Sequence, residues 1–411
     1  MTYPMTLNWT DKKVLDFFRE HVTRGTLVVR VNDRHEVALG DGGDPRATMT
    51  LPNWANAMKM ALSPDPGFGE VYMQGGLDVT SGELEDLIRV LRLNFDGGHS
   101  SSNFGLLIEK LQAFKFRIAQ FTSVEAASRR VRHHYDIGND LYTRFLDADM
   151  QYSCAFWDDG AKNLTEAQLH KMTLTTDRLQ ITEPGTRVVD IGCGWGGLSR
   201  FIRRTTGAEV HGITLSTEQY NWALERKAEL PADFHEGLDY HLQDYRVFAE
   251  ANKERYDRVV SVGMFEHVGR PQFKTYFEQV SRLLKAGGRA VIHTIIKPRP
   301  DFTSPWIDRY IFPGGYIPAV HEVVEAAEQA DLDVDACHFH PGNNYARTLM
   351  AWRENFRKIQ DQLDPEKYDT EFKRMWEFYL AGCINAFDAR EGGGGMRVGQ
   401  FVFTKPGYRH N

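Results

Sequence analysis

VVDIGCGWGG, residues 188–197, is an apolar run that ends in an acid and then places glycines at 192, 194, 196 and 197 before the helical pattern LSRFIRR. A strand that breaks into glycines and restarts as a helix can turn tightly, bring its backbone close to a ligand, and face that ligand with the unpaired N–H groups of a helix N-terminus. The glycine turn alone fits a nicotinamide, a flavin or S-adenosylmethionine. The acid narrows the choice: a dinucleotide fingerprint, GxGxxG, is spaced for pyrophosphate contact, whereas DxGxGxG here opens with Asp190 at the strand end. An acid there suits a cationic or amino-bearing ligand, and S-adenosylmethionine, which has no phosphate and carries a sulfonium, fits it.

Working outward, TRVVDIG, AEVHGITL, YDRVVSVG and RAVIHTII read as apolar strands separated by the helical patterns LSRFIRR, TEQYNWALERKAEL and QFKTYFEQVSRLL. That alternation predicts right-handed crossovers and a doubly wound, mostly parallel α/β sheet covered on both faces. RVGQFVFTK, after the EGGGG run, adds a last strand at an edge or in antiparallel sense, and the four glycines 392–395 predict a mobile loop. Towards the start, Thr26–Val31 and Ala47–Pro52 flank a turn-rich GDGGDPR and predict short antiparallel strands of a small α+β domain. SGELEDLIRVLRLNF predicts a helix capped by Ser81 and running to the mid-90s. FGLLIEKLQAFKFRIAQF follows, with Leu107, Leu111, Phe114 and Phe121 on a broad apolar face that suits either packing between domains or contact with lipid. The expected division is therefore an N-terminal lipid-interacting domain over 1–96, a helical linker over 97–125 and a catalytic domain over 126–411.

Composition excludes several classes. The chain has 411 residues, a formal charge of -7 and 42% hydrophobic residues, which describes a globular protein and argues against a general binder of nucleic acid. Its four cysteines, Cys154, Cys193, Cys337 and Cys383, lie far apart without a CxxC pair, so neither a disulfide framework nor a zinc site is expected. The adjacent His133 and His134 diverge and lack carboxylate or cysteine partners at ligand spacing, so no metal is expected there either. Arg129, Arg130 and Arg132 suit a solvated helix end or contact with lipid phosphates. With no signal-like N-terminus and no apolar stretch long enough to span a bilayer, the expectation is a cytoplasmic chain whose membrane contact is peripheral.

Six motifs occur in one order: HYDIGND at 134–140, YSCAFW at 152–157, DIGCGWGG, GITLSTEQ at 212–219, SVGMFEHVG at 261–269 and NYARTLMAW at 344–352. Together they resemble the cyclopropane fatty acid synthase family, strongly over about 125–405, with a looser likeness at GFGEVYMQGGLDVTSGELEDLI, 67–88. The resemblance implies a seven-stranded Rossmann-like methyltransferase sheet. It further implies transfer of the S-adenosylmethionine methyl carbon to the cis double bond of a phospholipid acyl chain, peripheral association with the inner face of the membrane, and a possible homodimer. In such chemistry a weak alkene nucleophile becomes a carbocation, which aromatic faces stabilise without trapping. Phe156, Trp157, Phe265, Trp306, Tyr310, Phe312 and Tyr316 lie in or near the motifs, and core packing is the competing role of each.

Ring closure needs a base, and the resemblance implies a bound bicarbonate held by Cys154, Glu266, His293, the Ile295 backbone and Tyr345. For the cofactor it implies Tyr152 and Ser153 at the methionine end, Gly192 and Gly194 beside it with Asp190, Thr214, Leu215 and Gln219 along the ribose, and Asp244 with Tyr245 near the adenine. Thr214 and Ser216 also suit helix capping. The alternative product set keeps the same residues and ends in a methylene- or methyl-branched chain, or in methylation of a diene towards a furan fatty acid. A lipid-binding module with a degenerate cofactor site and a small-molecule methyltransferase are the rival readings.

Overall fold

Alternating burial along Thr26–Val31 puts Leu27, Val29 and Val31 on one buried face, as a half-exposed strand requires. The computed structural model describes residues 9–31, 35–95, 137–390 and 394–407. They fall into two compact units, one built from 1–112, 304–311 and 349–395, the other from 113–303, 312–348 and 396–411. The helix expected over 104–121, the arginine and histidine cluster 129–134 and the glycines 392–393 lie outside the described residues.

The first unit holds a four-stranded sheet of β1 (Thr26–Val31), β2 (His35–Gly40), β3 (Arg46–Leu51) and β4 (Asp78–Ser81), in the order β2-β1-β3-β4. β1 runs antiparallel to β2 but parallel to β3. The expected antiparallel pairing of Thr26–Val31 with Ala47–Pro52 is thus corrected: the intervening His35–Gly40 is itself a strand, and it takes the antiparallel partner's place. Ser81 closes β4, and the expected helix starts at Leu84, running to Phe95.

The expected boundary also moves. Residues 349–395 belong with this first unit because helix Thr370–Phe387 sends Ala381 and Phe378 into its core, Arg353 pairs with Glu85 and Glu377, and the Asn385 amide donates to the Glu85 carbonyl. Arg374 also donates to the carbonyls of Tyr72 and Leu77. Trp306 and Tyr310 lie in this unit, the Tyr310 hydroxyl donating to Glu70 at 3.1 Å.

The second unit is a seven-stranded sheet of β5 (Arg187–Ile191), β6 (Glu209–Thr214), β7 (Leu238–Leu242), β8 (Tyr256–Val262), β9 (Leu284–Ile296), β10 (Asp333–His340) and β11 (Arg397–Thr404), ordered β10-β11-β9-β8-β5-β6-β7. β5 through β9 are mutually parallel, as the strand–helix alternation predicts. β11 is antiparallel to both β9 and β10 and lies between them, so it is interior, which is why its Val398, Phe401 and Phe403 are buried. The apolar runs of β5 and β8 are covered on both faces, by helices such as Gly197–Thr206 and Phe273–Leu283. Among the described residues no helix is long and apolar enough to cross a membrane.

Candidate active site

The C-terminal ends of β5, β6 and β8 and the loops after them open onto one cavity. Tyr152, Ser153, Asp190, Gly192, Gly194, Thr214, Leu215, Gln219, Asp244 and Tyr245, the ten residues implied for the cofactor, all line it. Gly192 is in the left-handed region at φ 78°, and a Cβ there would meet the Met264 side chain at 2.6 Å. A glycine is therefore required twice over, by conformation and by space. At Gly194, φ 56°, an added Cβ would meet nothing within 4 Å.

Asp190 is 1% exposed and accepts from the Ser199 hydroxyl at 2.7 Å. Burial pushes its carboxyl up to about 6, and a cation bound against it would restore the ionised form. At the end of β6, Ser216 caps helix Thr217–Ala228 by accepting from the Gln219 N–H. The Thr214 hydroxyl donates to the Gln219 amide oxygen at 2.8 Å, so Gln219 offers its NH2 to a ligand's hydroxyls. Both carboxylate oxygens of Asp244 are engaged by Arg246, at 2.8 Å each. Its charge is neutralised where it meets the cavity, leaving Tyr245 and Leu215 as neighbours for a flat base.

The five residues implied for the anion site are absent from this wall, and two of them adjoin it in the chain: Cys154 follows Ser153, and Glu266 lies between the wall residues Met264 and His267. The Ile295 N–H donates to Glu266 Oε1 at 2.7 Å, while Glu266 Oε2 is buried without a hydrogen-bond partner. Burial pushes this carboxyl up to about 6. His293, two residues before Ile295, points to the same face of β9, and its burial holds the imidazole well below the ordinary histidine range, hence neutral. Phe156 stacks on the His293 ring at 5.8 Å and packs with Cys154 and Tyr345 in one small apolar cluster. Burial raises the Cys154 thiol, keeping it protonated.

The structure thus forms two groups, Glu266 with the Ile295 N–H, and Cys154, His293 and Tyr345 around Phe156, with His293 and Ile295 two residues apart on β9. A buried carboxylate oxygen without a partner fits a small anion that carries its own proton, as bicarbonate does. Among the motif aromatics, Phe265 and Tyr316 are core residues, and the Phe312 ring lies 5.7 Å from His267, edge to face.

Sequence reading misses three parts of this arrangement. His267 lines the cavity, and burial lowers its imidazole to about 4. Lys171, fully buried, donates to Gln151 Oε1 at 2.5 Å and to Ser153 Oγ at 2.9 Å, and burial lowers its ammonium to about 8. The Gln168 amide donates to the backbone carbonyls of Gln151 and Ser153. Gln168, Lys171, Thr175 and Arg178 all sit on helix Leu164–Leu179 at i, i+3, i+7 and i+10, one face of a helix. The signal was present: polar residues at the spacing where an ordinary amphipathic helix carries its apolar stripe.

A family model described as mycolic acid cyclopropane synthetase matches residues 122–392. The cyclopropane-fatty-acyl-phospholipid synthase of Escherichia coli strain K12 is 43% identical over 277 residues, covering 67% of this chain and 67% of its own. The tuberculostearic acid methyltransferase UfaA1 of Mycobacterium tuberculosis is 34% identical over 361 residues, covering 82% of this chain and 80% of its own. Among solved structures, mycolic acid cyclopropane synthase CmaA1 complexed with SAH and CTAB superposes with a TM-score of 0.60 at 30% identity, over 68% of this chain and 98% of that one. With a glycine-turn cavity of fitting chemistry and these relatives, the chain belongs to the mycolic acid cyclopropane synthetase family and is an S-adenosylmethionine-dependent methyltransferase of the cyclopropane-fatty-acyl-phospholipid synthase type.

Proposed function

We propose that this enzyme transfers the methyl carbon of S-adenosylmethionine to the cis double bond of an unsaturated acyl chain in a membrane phospholipid and closes a cyclopropane ring. The carrying observation is the Glu266 carboxylate, one oxygen fixed by the Ile295 N–H and the other buried without a partner, next to the cofactor cavity in sequence, with the neutral His293 two residues before Ile295 on β9. Alkene methylation needs no polar pair to activate the acceptor. It needs a site that leaves a carbocation untouched and then removes one proton.

The residues divide that work. Asp190 and the Gly192–Gly194 backbone hold the cofactor's charged end, and Gln219 its hydroxyls. The Tyr152–Phe156 segment, fixed by Gln168 and Lys171, separates the cofactor from the inner pocket. Cys154, His293 and Tyr345 are the donors for bicarbonate, which when bound supplies the base for ring closure, while the Ile295 N–H holds the Glu266 carboxylate in place. Glu266 Oε2 accepts that anion's proton and so orients it. The lipid would be met at a membrane surface, through the protein's periphery.

The test is incubation of the purified chain with S-adenosylmethionine and vesicles of monounsaturated phospholipid, followed by mass spectrometry of the released fatty acids with and without mild hydrogenation. A gain of one carbon and two hydrogens that resists hydrogenation is expected. A product of that mass that takes up two more hydrogens would replace the cyclopropane by a methylene branch, and no gain in mass would overturn the phospholipid substrate.

A further inference from the structure

Behind His293 lies a chain of polar groups that the reaction as described does not use. Gln400 stands directly opposite His293 where β11 pairs with β9. Its side-chain oxygen accepts from Arg178 Nη1, and its side-chain nitrogen lies 2.8 Å from Thr175 Oγ1 and 3.1 Å from His293 Nδ1. Gln400 and Thr175 are wholly buried and His293 is 2% exposed, so water cannot substitute for any of these partners without entering the core.

The donor and acceptor roles along this chain are forced. A guanidinium only donates, so the Gln400 oxygen faces Arg178. Thr175 supplies an independent check. Its hydroxyl proton goes to the Lys171 carbonyl at 2.7 Å, within the same helix, which leaves its oxygen as an acceptor for the Gln400 NH2. Both ends of the amide are therefore fixed, and the NH2 also meets His293 Nδ1. That nitrogen must present a lone pair, and a neutral imidazole with a bare Nδ1 carries its proton on Nε2.

We propose that Gln400, oriented by Arg178 and Thr175, is a positioning residue that locks His293 in the Nε2–H tautomer and so makes its outward nitrogen a permanent hydrogen-bond donor to an anionic oxygen bound beside Glu266. The inference rests on the anion-binding reading of that pocket. The opposite tautomer would turn a lone pair towards the anion, replacing attraction by repulsion and adding a second base that competes for the proton. A tautomer fixed by a second residue is a known determinant of histidine function, and loss of such partners typically costs about 10- to 100-fold.

The test is NMR of the full chain selectively labelled with 15N-histidine, with the His293 signals identified by their loss in His293→Gln. A bare Nδ1 and a protonated Nε2 are expected in the wild-type protein. In Gln400→Glu the introduced carboxylate has no proton to give and accepts one from Nδ1, so the tautomer inverts, turnover falls about 10- to 100-fold, and the dissociation constant for S-adenosylmethionine stays within about twofold. A protonated Nδ1 in the wild-type protein overturns the proposal, as does full turnover in a Gln400→Glu enzyme whose tautomer has inverted. The wild-type spectrum decides even if the variant does not fold. Because it needs no turnover, it also separates this inference from the proposed reaction, which the lipid assay alone can sink.

Discussion

The cofactor cavity and the pocket behind it are assembled from the chain in opposite ways. The cavity is made where strands end: Asp190 lies at the end of β5 with Gly192 and Gly194 just after it, and Thr214 to Gln219 run from the end of β6 into the next helix, so turn geometry holds these residues in place. The proposed pocket depends on tertiary contact alone, since Cys154, Glu266, His293 and Tyr345 lie on four separate segments, with Glu266 held by the Ile295 N–H and the other three gathered around Phe156. A site placed by many strand ends survives the change of one distant side chain, whereas a site built from a few titratable side chains changes chemistry when one proton is lost. Cofactor binding and turnover should therefore be separable by mutation.

The largest effect expected from that contrast is in Glu266→Gln. The neutral amide keeps the shape of the side chain and can still accept from the Ile295 N–H, but it cannot take a proton from a bound anion. Turnover should drop by about 10²- to 10⁴-fold, the range of a lost general acid–base group, while calorimetry gives an unchanged dissociation constant for S-adenosylmethionine. Parallel loss of both would break the comparison and make the two regions one site.

Lys171 sharpens it further, because it touches the cavity wall through Ser153 and sits on the helix that also carries Thr175, the partner of Gln400. Since the ammonium donates to Ser153 Oγ, the serine's own proton is free to go to an acceptor in the cavity, such as a carboxylate. Lys171→Met keeps the stem's packing and removes the donor. Hydrogen bonds to charged groups are worth about 1.5 to 3 kcal/mol, so affinity for S-adenosylmethionine should fall by about 10- to 100-fold, with turnover lowered as well. A variant that loses turnover alone would move Lys171 to the pocket's side of the divide.

The same contrast explains what the sequence made legible. The glycine turn, the strand–helix alternation and Asp190 are local patterns, and each of them positions the cavity as expected. β7 and β10 escaped because LDYHL and DVDACHFH are polar enough to pass for loops, and β11 could be given its antiparallel sense but not its interior place, which depends on β10 being a strand. Gln168, Lys171, Thr175 and Gln400 read as surface polar residues until the fold buries them against each other. Residues 349–395 changed units for a related reason, since nothing local in Phe378 or Ala381 says which core they enter.

The smallest expected effect is on stability. Glu266 has a carboxyl pushed up to about 6 by burial, against about 4.3 in an unfolded chain. Between those two values the unfolded chain has released its proton while the folded chain still holds it, so this group's contribution to stability is intact below about pH 4 and is lost as pH rises through about 6. At about 1.4 kcal/mol per pH unit, the ionised, buried Glu266 costs the ligand-free protein on the order of 2 kcal/mol at pH 8. Glu266→Gln removes that slope but keeps the one contributed by Asp190, which burial also holds at about 6. Urea denaturation of the two proteins should therefore show the variant gaining stability relative to the wild type between pH 4 and pH 8, by about that amount. A constant difference across this range would mean that Glu266 titrates as it does in water, and a hydrated carboxylate could not keep the inner pocket dry enough to spare a carbocation.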